Sequence, residues 1–326
     1  MLDHHDGIVV TGGLGFIGRH LVRALLDHRK RVIVLDRRPP SDSDADPDIE
    51  YRVVDVREPR SLRDALRSAD LVFHLAANAN GTYSVEHPGE DFQANCVGTF
   101  NVLQAAMEAG VRRVVYVSSA SVYGTPRRFP IRESHPTDPI MPYGASKLAG
   151  ERFGLAFLHS YGLDFVAARP FCVYGPGEDP ATSLVEVSRY LRWHLNGRAI
   201  QVVGDARRKT RDFIHVSDAV GGLVAVAERA QPGGIFNVGS GTEVSMRELA
   251  ERTQRVAGGT VRVRELTDIQ DDTHRLVADI SRLSRLGYAP RVPLDEGIAD
   301  LIEELGDRPE LPTGATIFRP GQRAEV

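Results

Sequence analysis

The sequence predicts an α/β fold: a doubly wound parallel sheet with a smaller C-terminal α/β domain. Three observations carry that prediction. Several short apolar runs are too continuous to alternate with polar residues, they are separated by stretches with helical spacing, and the pattern changes to shorter mixed elements after about residue 170. The runs are Gly7-Ile-Val-Val-Thr11, Arg31-Val-Ile-Val-Leu-Asp36 and residues 51–54, 71–76, 113–118 and 164–169. A strand covered on both faces has no solvent side to mark with polar residues, so continuity indicates a parallel sheet between helical layers. Residues 37–48, rich in Pro, Asp and Ser, are expected to form a solvated loop.

Beyond residue 170 the spacing predicts a helix near 183–196, strands near 200–203 and 235–238, and helices near 245–256 and 293–305. The expected division is a first domain over 1–170, a second over 171–305 whose chain crosses back to the first core, and a C-terminal tail over 306–326. The tail carries Pro, Gly and charge without periodicity. No internal repeat is visible.

Composition narrows the partners. The 326 residues carry a formal net charge of −4, which gives no general affinity for nucleic acid or an anionic membrane and favours a small-molecule substrate. The N-terminus is polar and no apolar run approaches ~18 residues, so neither a signal peptide nor a membrane span is expected. Cys96 and Cys172 lack the spacing of a zinc site or a disulfide framework, so no metal is expected and a reducing cytoplasm fits. Of the 40 basic residues only Lys30, Lys147 and Lys209 are lysines, which makes a lysine at a chemically demanding position informative.

Thr11-Gly12-Gly13-Leu14-Gly15-Phe16-Ile17-Gly18 follows the first apolar run and opens an amphipathic stretch. Gly12, Gly15 and Gly18 have the spacing of a dinucleotide fingerprint in a Rossmann fold. Glycine permits the tight turn and brings backbone N–H groups, with Phe16 and Ile17 at the helix start, up to a pyrophosphate. Asp36 ends the second run, where a carboxylate accepts hydrogen bonds from the adenosine ribose and repels a 2′-phosphate. NAD is therefore expected, although Arg37 and Arg38 next door are of the type that accommodates NADP. Asp55, followed by Val56, is placed to meet the adenine amino group, and Leu75-Ala76-Ala77 supplies small residues where the cofactor passes. His74 reads as a packed strand residue.

Tyr143-Gly-Ala-Ser-Lys147 puts a phenol and an ammonium four residues apart, on one face of a helix. A phenol of pKa near 10 is a weak base at neutral pH, and a neighbouring ammonium favours its phenolate form. Tyr143 is then equipped to remove a proton from a substrate hydroxyl. Ser118-Ser119-Ala120-Ser121 closes the fifth run at the ligand-binding end of the sheet. Ser119 is the hydroxyl chosen to bind the reacting oxygen, with Ser118 and Ser121 as alternatives.

Residues 11–18, 118–124, 142–147 and 169–177 together resemble the extended short-chain dehydrogenase/reductases, specifically the NAD-dependent nucleotide-sugar epimerase/dehydratase family, and most of all its UDP-sugar 4-epimerases. The resemblance implies a nucleotide-diphosphate sugar substrate, bound NAD that takes and returns hydride, and a transient 4-keto sugar. It implies that Asn95 and Pro170 lie beside the cofactor, and that Arg211 grips the substrate pyrophosphate. Thr82, in a polar segment over 78–84, falls near the sugar. Arg207, Arg208 and Lys209 read as loop charges.

Family dehydratases carry an Asp-Glu pair where this chain has Ala120 and Ser121, and the related decarboxylases place a glutamate in that segment, so epimerisation is the favoured reaction. Dehydratase, decarboxylase and 4-ketoreductase activities are the alternatives, and a non-catalytic NAD-binding protein is the alternative of a different class. Two departures stand out: Cys172 occupies the place of a phosphate-binding Asn, and Ile269, shortly before Asp271-Asp272, that of a second arginine. Arg275 or Arg264 is the candidate replacement. The apolar faces near 95–109 and 144–160 correspond to helices through which relatives pair, so a homodimer is expected.

Overall fold

In the computed structural model, which describes residues 7–27, 30–42, 45–181, 185–266, 275–307 and 309–312, the six apolar runs form strands β1 (Gly7–Thr11), β2 (Arg31–Asp36), β3 (Ile49–Val53), β4 (Leu71–His74), β5 (Arg113–Val117) and β6 (Asp164–Pro170). A seventh strand, Ile235–Val238, pairs in parallel with β6. The order across the sheet is Ile235–Val238, β6, β5, β4, β1, β2, β3, and every pairing is parallel. The order reverses between β1 and β4, which opens a crevice at the carboxyl ends of those strands.

Alternate residues of the same strand feed two cores. Ile8 and Val10 pack with Leu21, Leu25, Leu223 and Val226 under helices Phe16–Asp27 and Val216–Arg229. Val9, Ile33, Val72 and Tyr116 pack on the other face with Leu62, Leu103, Ala106 and Phe157, beneath helices Pro59–Ala65, Gly98–Ala109 and Pro142–Tyr161. The strand β3 begins two residues earlier than its apolar run suggests. It lies at the sheet edge, where one neighbour suffices and Val53 stays exposed. Within residues 37–48 the described part of the expected loop contains no helix or strand.

The second half builds its own core from Tyr190, Leu191, Trp193, Ile200, Phe213, Leu249, Ile298 and Leu301. Helices Glu186–Leu195, Met246–Ala257 and Leu294–Leu305 and strand Ile200–Val203 match the expected positions within a few residues. Helix Val216–Arg229, which the periodicity does not single out, and strand Ile235–Val238 return to the central sheet. Arg113 on β5 reinforces that return by donating to the carbonyls of Ala227 and Ala230 at 2.6 and 2.9 Å. Residues 313–326, most of the expected tail, lie outside the described residues. No helix among the described residues is long and apolar enough to cross a membrane.

Candidate active site

The site assembles where β1, β4 and β5 end. Gly12 adopts φ +70°, a left-handed conformation that favours glycine, and a Cβ there would stand 2.7 Å from the backbone nitrogen of Ala76. A Cβ on Gly18 would stand 2.2 Å from the carbonyl oxygen of Gly12. The helix beginning at Phe16 therefore closes tightly on the turn, with its N-terminal N–H groups at the crevice. Such a cradle, too tight for side chains and lined by backbone donors, fits a dinucleotide pyrophosphate. Thr11 supports it from beneath: its Oγ1 accepts from the Ala76 N–H at 3.2 Å and lies 2.7 Å from Nδ1 of His74.

His74 also meets Thr99 at 3.0 Å through Nε2. Burial, with repulsion from Lys147, pushes its imidazole down to about 3, so it is a neutral packed residue at neutral pH. Asp36 ends β2, partly exposed, and accepts from the Leu14 N–H at 3.2 Å, which ties the acid to the glycine turn. Arg38 donates to the Leu14 carbonyl at 3.2 Å, while Arg37 is exposed. Asp55 is engaged by Arg57, whose Nε and Nη2 reach its two oxygens at 2.5–3.0 Å, and that hydrogen bonding holds its carboxyl below the ordinary range. Val56 is buried against Gly98, where a Cβ would meet its Cγ2 at 2.7 Å. Leu75, Ala76 and Ala77 follow β4, partly exposed, and Pro170 ends β6, buried.

Tyr143 and Lys147 lie in the first turns of helix Pro142–Tyr161, which starts on a proline whose missing N–H costs nothing there. The Tyr143 N–H donates to Ser84 Oγ at 3.0 Å. Lys147 is 4% exposed; its Nζ donates to the carbonyl of Val117 at 2.7 Å and sits 5.0 Å from the centre of the Tyr116 ring. Burial pushes the Lys147 amine down to about 8, against the opposing pull of Asp91 and Glu151. Burial pushes the Tyr143 phenol up, a hydrogen bond with the Ser119 side chain draws it back, and Asp91 adds to the rise.

The three candidate serines take different roles. Ser119 caps the turn Ala120–Tyr123, accepting from the Ser121 N–H at 3.1 Å, donating to Ser121 Oγ at 3.1 Å, and meeting Tyr143. Ser118 turns the other way and donates to Glu151 at 2.6 Å. Ala120 contributes only a buried methyl group.

Asn95 lies in a single π-helical turn, Phe92–Val97, a local widening of the kind that helices use to aim side chains at functional sites. It is buried. Its Oδ1 accepts from the Asn78 N–H at 2.7 Å, and its amide donates toward the Asn78 carbonyl, Asp91 and Ser146, each at 3.0 Å.

The residues expected at the substrate are more scattered. Thr82 is partly exposed on helix Gly81–Glu86, and Cys172 partly exposed on strand Cys172–Tyr174. Arg211 is buried with its Nε 3.7 Å from Glu186. Arg275 grips Glu243 through two bonds of 2.6 Å and lies 4.4 Å from the Phe129 ring centre. Arg275 pairs with Thr210 rather than Arg211 across neighbouring strands, so the two arginines point to opposite faces. Arg264 is exposed. Ile269, Asp271 and Asp272 lie outside the described residues.

Sequence reasoning missed a buried polar network behind helix Pro142–Tyr161. Glu151, 0% exposed, accepts from Arg169 Nε at 2.8 Å and Nη2 at 2.6 Å, besides Ser118. Arg169 donates on to Tyr123 Oη at 2.9 Å, which donates to Asn237 at 2.6 Å. A signal was available, because Glu151 follows Lys147 by one helical turn on the same face.

A family model described as the NAD dependent epimerase/dehydratase family matches residues 8–239. The chain is 36% identical to UDP-glucose 4-epimerase of Mycolicibacterium smegmatis, over 90% of this chain and 97% of that protein. It is 31% identical to a dTDP-glucose 4,6-dehydratase of Actinoplanes sp., over 90% and 96% respectively. Among solved structures, the Thermus thermophilus UDP-glucose 4-epimerase complex with NAD superposes with a TM-score of 0.83 at 31% identity, covering 91% of this chain and 98% of that one.

Proposed function

Because the chain belongs to the NAD-dependent epimerase/dehydratase family, we propose that it interconverts a nucleotide-diphosphate sugar, a UDP-sugar first of all, with its C4 epimer. The observation that supports this best is chemical economy at the site. Ser119, Tyr143 and a buried Lys147 stand together, and the turn Ala120–Tyr123 beside them carries no carboxylate. Epimerisation removes one proton and returns it, and a single phenol does both. Elimination of water needs a further acid and base.

NAD is the cofactor, and when bound it accepts and returns the electron pair that C4 loses and regains. Gly12, Gly15 and Gly18, with Phe16 and Ile17, would hold its pyrophosphate, and Asp36 its adenosine ribose. Asp55, Val56, Leu75, Ala76, Ala77, Asn95 and Pro170 would line the rest of its path. Lys147, as an ammonium, favours the phenolate of Tyr143 and would reach the nicotinamide ribose. Tyr143 takes the proton of the C4 hydroxyl, and Ser119 hydrogen-bonds the oxygen while it becomes a carbonyl. After the ketone has turned its other face, the same phenol gives the proton back; burial, which raises the phenol, favours the proton-taking half of the cycle. Arg211 is the anchor proposed for the substrate phosphates, its guanidinium already paired with Glu186, with Cys172 and Thr82 beside the ligand, while Arg275 on the neighbouring strand faces away from it toward Glu243.

Incubation with UDP-glucose should yield UDP-galactose, resolved by chromatography, with no net change in reduced-nicotinamide absorbance. Accumulation of a 4-keto-6-deoxy sugar, or stoichiometric NADH, would reject epimerisation.

The proposal includes a homodimer. Phe100 and Phe153 meet edge to face at 5.6 Å, Phe157 and Tyr161 continue the ladder, and Phe153 and Tyr161 remain 42% and 62% exposed across helices Gly98–Ala109 and Pro142–Tyr161. An exposed aromatic strip on two adjacent helices is the surface a second copy would cover. Light scattering at micromolar concentration is expected to give twice the chain mass, and Phe153→Asp to give a monomer; a monomeric wild type would overturn the assignment.

A further inference from the structure

We propose that Asp91 is a positioning residue, the buried fixed counter-charge that keeps Lys147 an ammonium; this deepens, and rests on, the catalytic reading above. Asp91 ends the short helix Pro88–Asp91, packed against helix Pro142–Tyr161, and is 1% exposed. Its Oδ1 accepts from the side-chain amides of Asn78 at 2.8 Å and Asn95 at 3.0 Å, and both donors are neutral. Burying a carboxylate on neutral donors alone is unfavourable unless a positive charge compensates.

Lys147 presents the mirror image: an amine buried to 4% exposure whose hydrogen bond goes to a neutral carbonyl. The two charges are linked by one bridge. The Asn95 amide donates to Asp91 and also to Ser146 Oγ, Ser146 immediately precedes Lys147, and its hydroxyl donates to the Tyr143 carbonyl at 3.0 Å. Asn95 thus ties the carboxylate to the catalytic helix between its two reactive side chains.

Of the other groups facing Lys147, only Glu151 adds a pull of its own, smaller than that of Asp91. Glu151 on the same helix is paired with Arg169 from β6. His74 on β4 is neutral at neutral pH and Tyr116 on β5 offers its ring face. Cys96, whose thiol approaches the Ser146 carbonyl at 3.9 Å, is held protonated by burial and by Asp91 itself. Tyr143 is the group the ammonium serves. Among the described residues Asp91 is therefore the anion of this layer without a contact cation, and its field favours the protonated form of both Lys147 and Tyr143.

The sign follows from that field. Removing the charge makes Lys147 lose its proton, and Tyr143 become phenolate, at lower pH. Both limbs of the bell-shaped kcat profile for UDP-glucose epimerisation should then move to lower pH in Asp91→Asn. The wild-type to variant rate ratio should grow about tenfold across the alkaline limb for each unit that limb moves. Asp91→Glu, which keeps the charge, should hold both limbs at their wild-type positions. If Asp91→Asn does not fold, Asp91→Ser, which leaves room for water on Asn78 and Asn95, carries the same test. A lowered plateau with unmoved limbs, or limbs displaced to higher pH, would overturn the role of Asp91 while leaving the epimerase reading intact. A wild-type protein without epimerase activity in the parallel assay would sink that reading first.

Discussion

Tyr143→Phe should lower kcat for UDP-glucose epimerisation by about 1,000-fold, within the range general acid–base groups contribute, with little change in bound NAD. The reason is local. The variant keeps the ring and the backbone N–H that Ser84 holds, and loses only the hydroxyl that meets Ser119. No described neighbour is equipped to replace it: Ser118 is committed to Glu151, and His74 is buried and bridged between Thr11 and Thr99. Turnover measured with NAD content, by releasing the nucleotide on denaturation, separates lost chemistry from lost cofactor. A variant that retains wild-type turnover would remove Tyr143 from the reaction.

Arg169→Met should destabilise the fold by about 3–5 kcal/mol, the usual cost of stripping one partner from a buried ion pair. Glu151 would be left at 0% exposure with only Ser118 to donate to it, and Tyr123 would lose a donor as well. The double variant Glu151→Met/Arg169→Met should regain most of that loss, because two apolar side chains leave no orphaned charge. The urea midpoints of the single and double variants give the coupling. A loss below about 1 kcal/mol in Arg169→Met would show that the pair does not hold the helix to β5 and β6.

The sheet was legible because a strand buried on both faces must be apolar throughout, as in Gly7-Ile-Val-Val-Thr11, and the glycine turn because its spacing is dictated by close backbone approach. The phenol and ammonium were legible because four residues make about one helical turn. What escaped depends on contacts distant in sequence. Arg169 and Glu151 read separately as a strand end and a helix polar residue, and nothing local pairs them. Asp91 carries no local mark, and Asn78 falls in the polar segment expected near the sugar, because burial of a carboxylate is a tertiary fact. The engagement of Asp55 by Arg57 is local, two residues apart, yet a motif reading assigns that acid outward. Whether Arg211 and Arg275 point together depends on strand register, which places Arg275 opposite Thr210.

The central sheet borrows its last strand from far downstream. When the ribosome has released β6, its outer edge still lacks Ile235–Val238, and the face above β5 and β6 still lacks helix Val216–Arg229. The nascent chain therefore carries a bare, apolar strand edge through the synthesis of about 65 further residues, an interval in which chaperone capture competes with aggregation. For the same reason a fragment cut near residue 170 would keep the whole glycine motif and the phenol–ammonium pair, yet expose the sheet it needs to stay in solution.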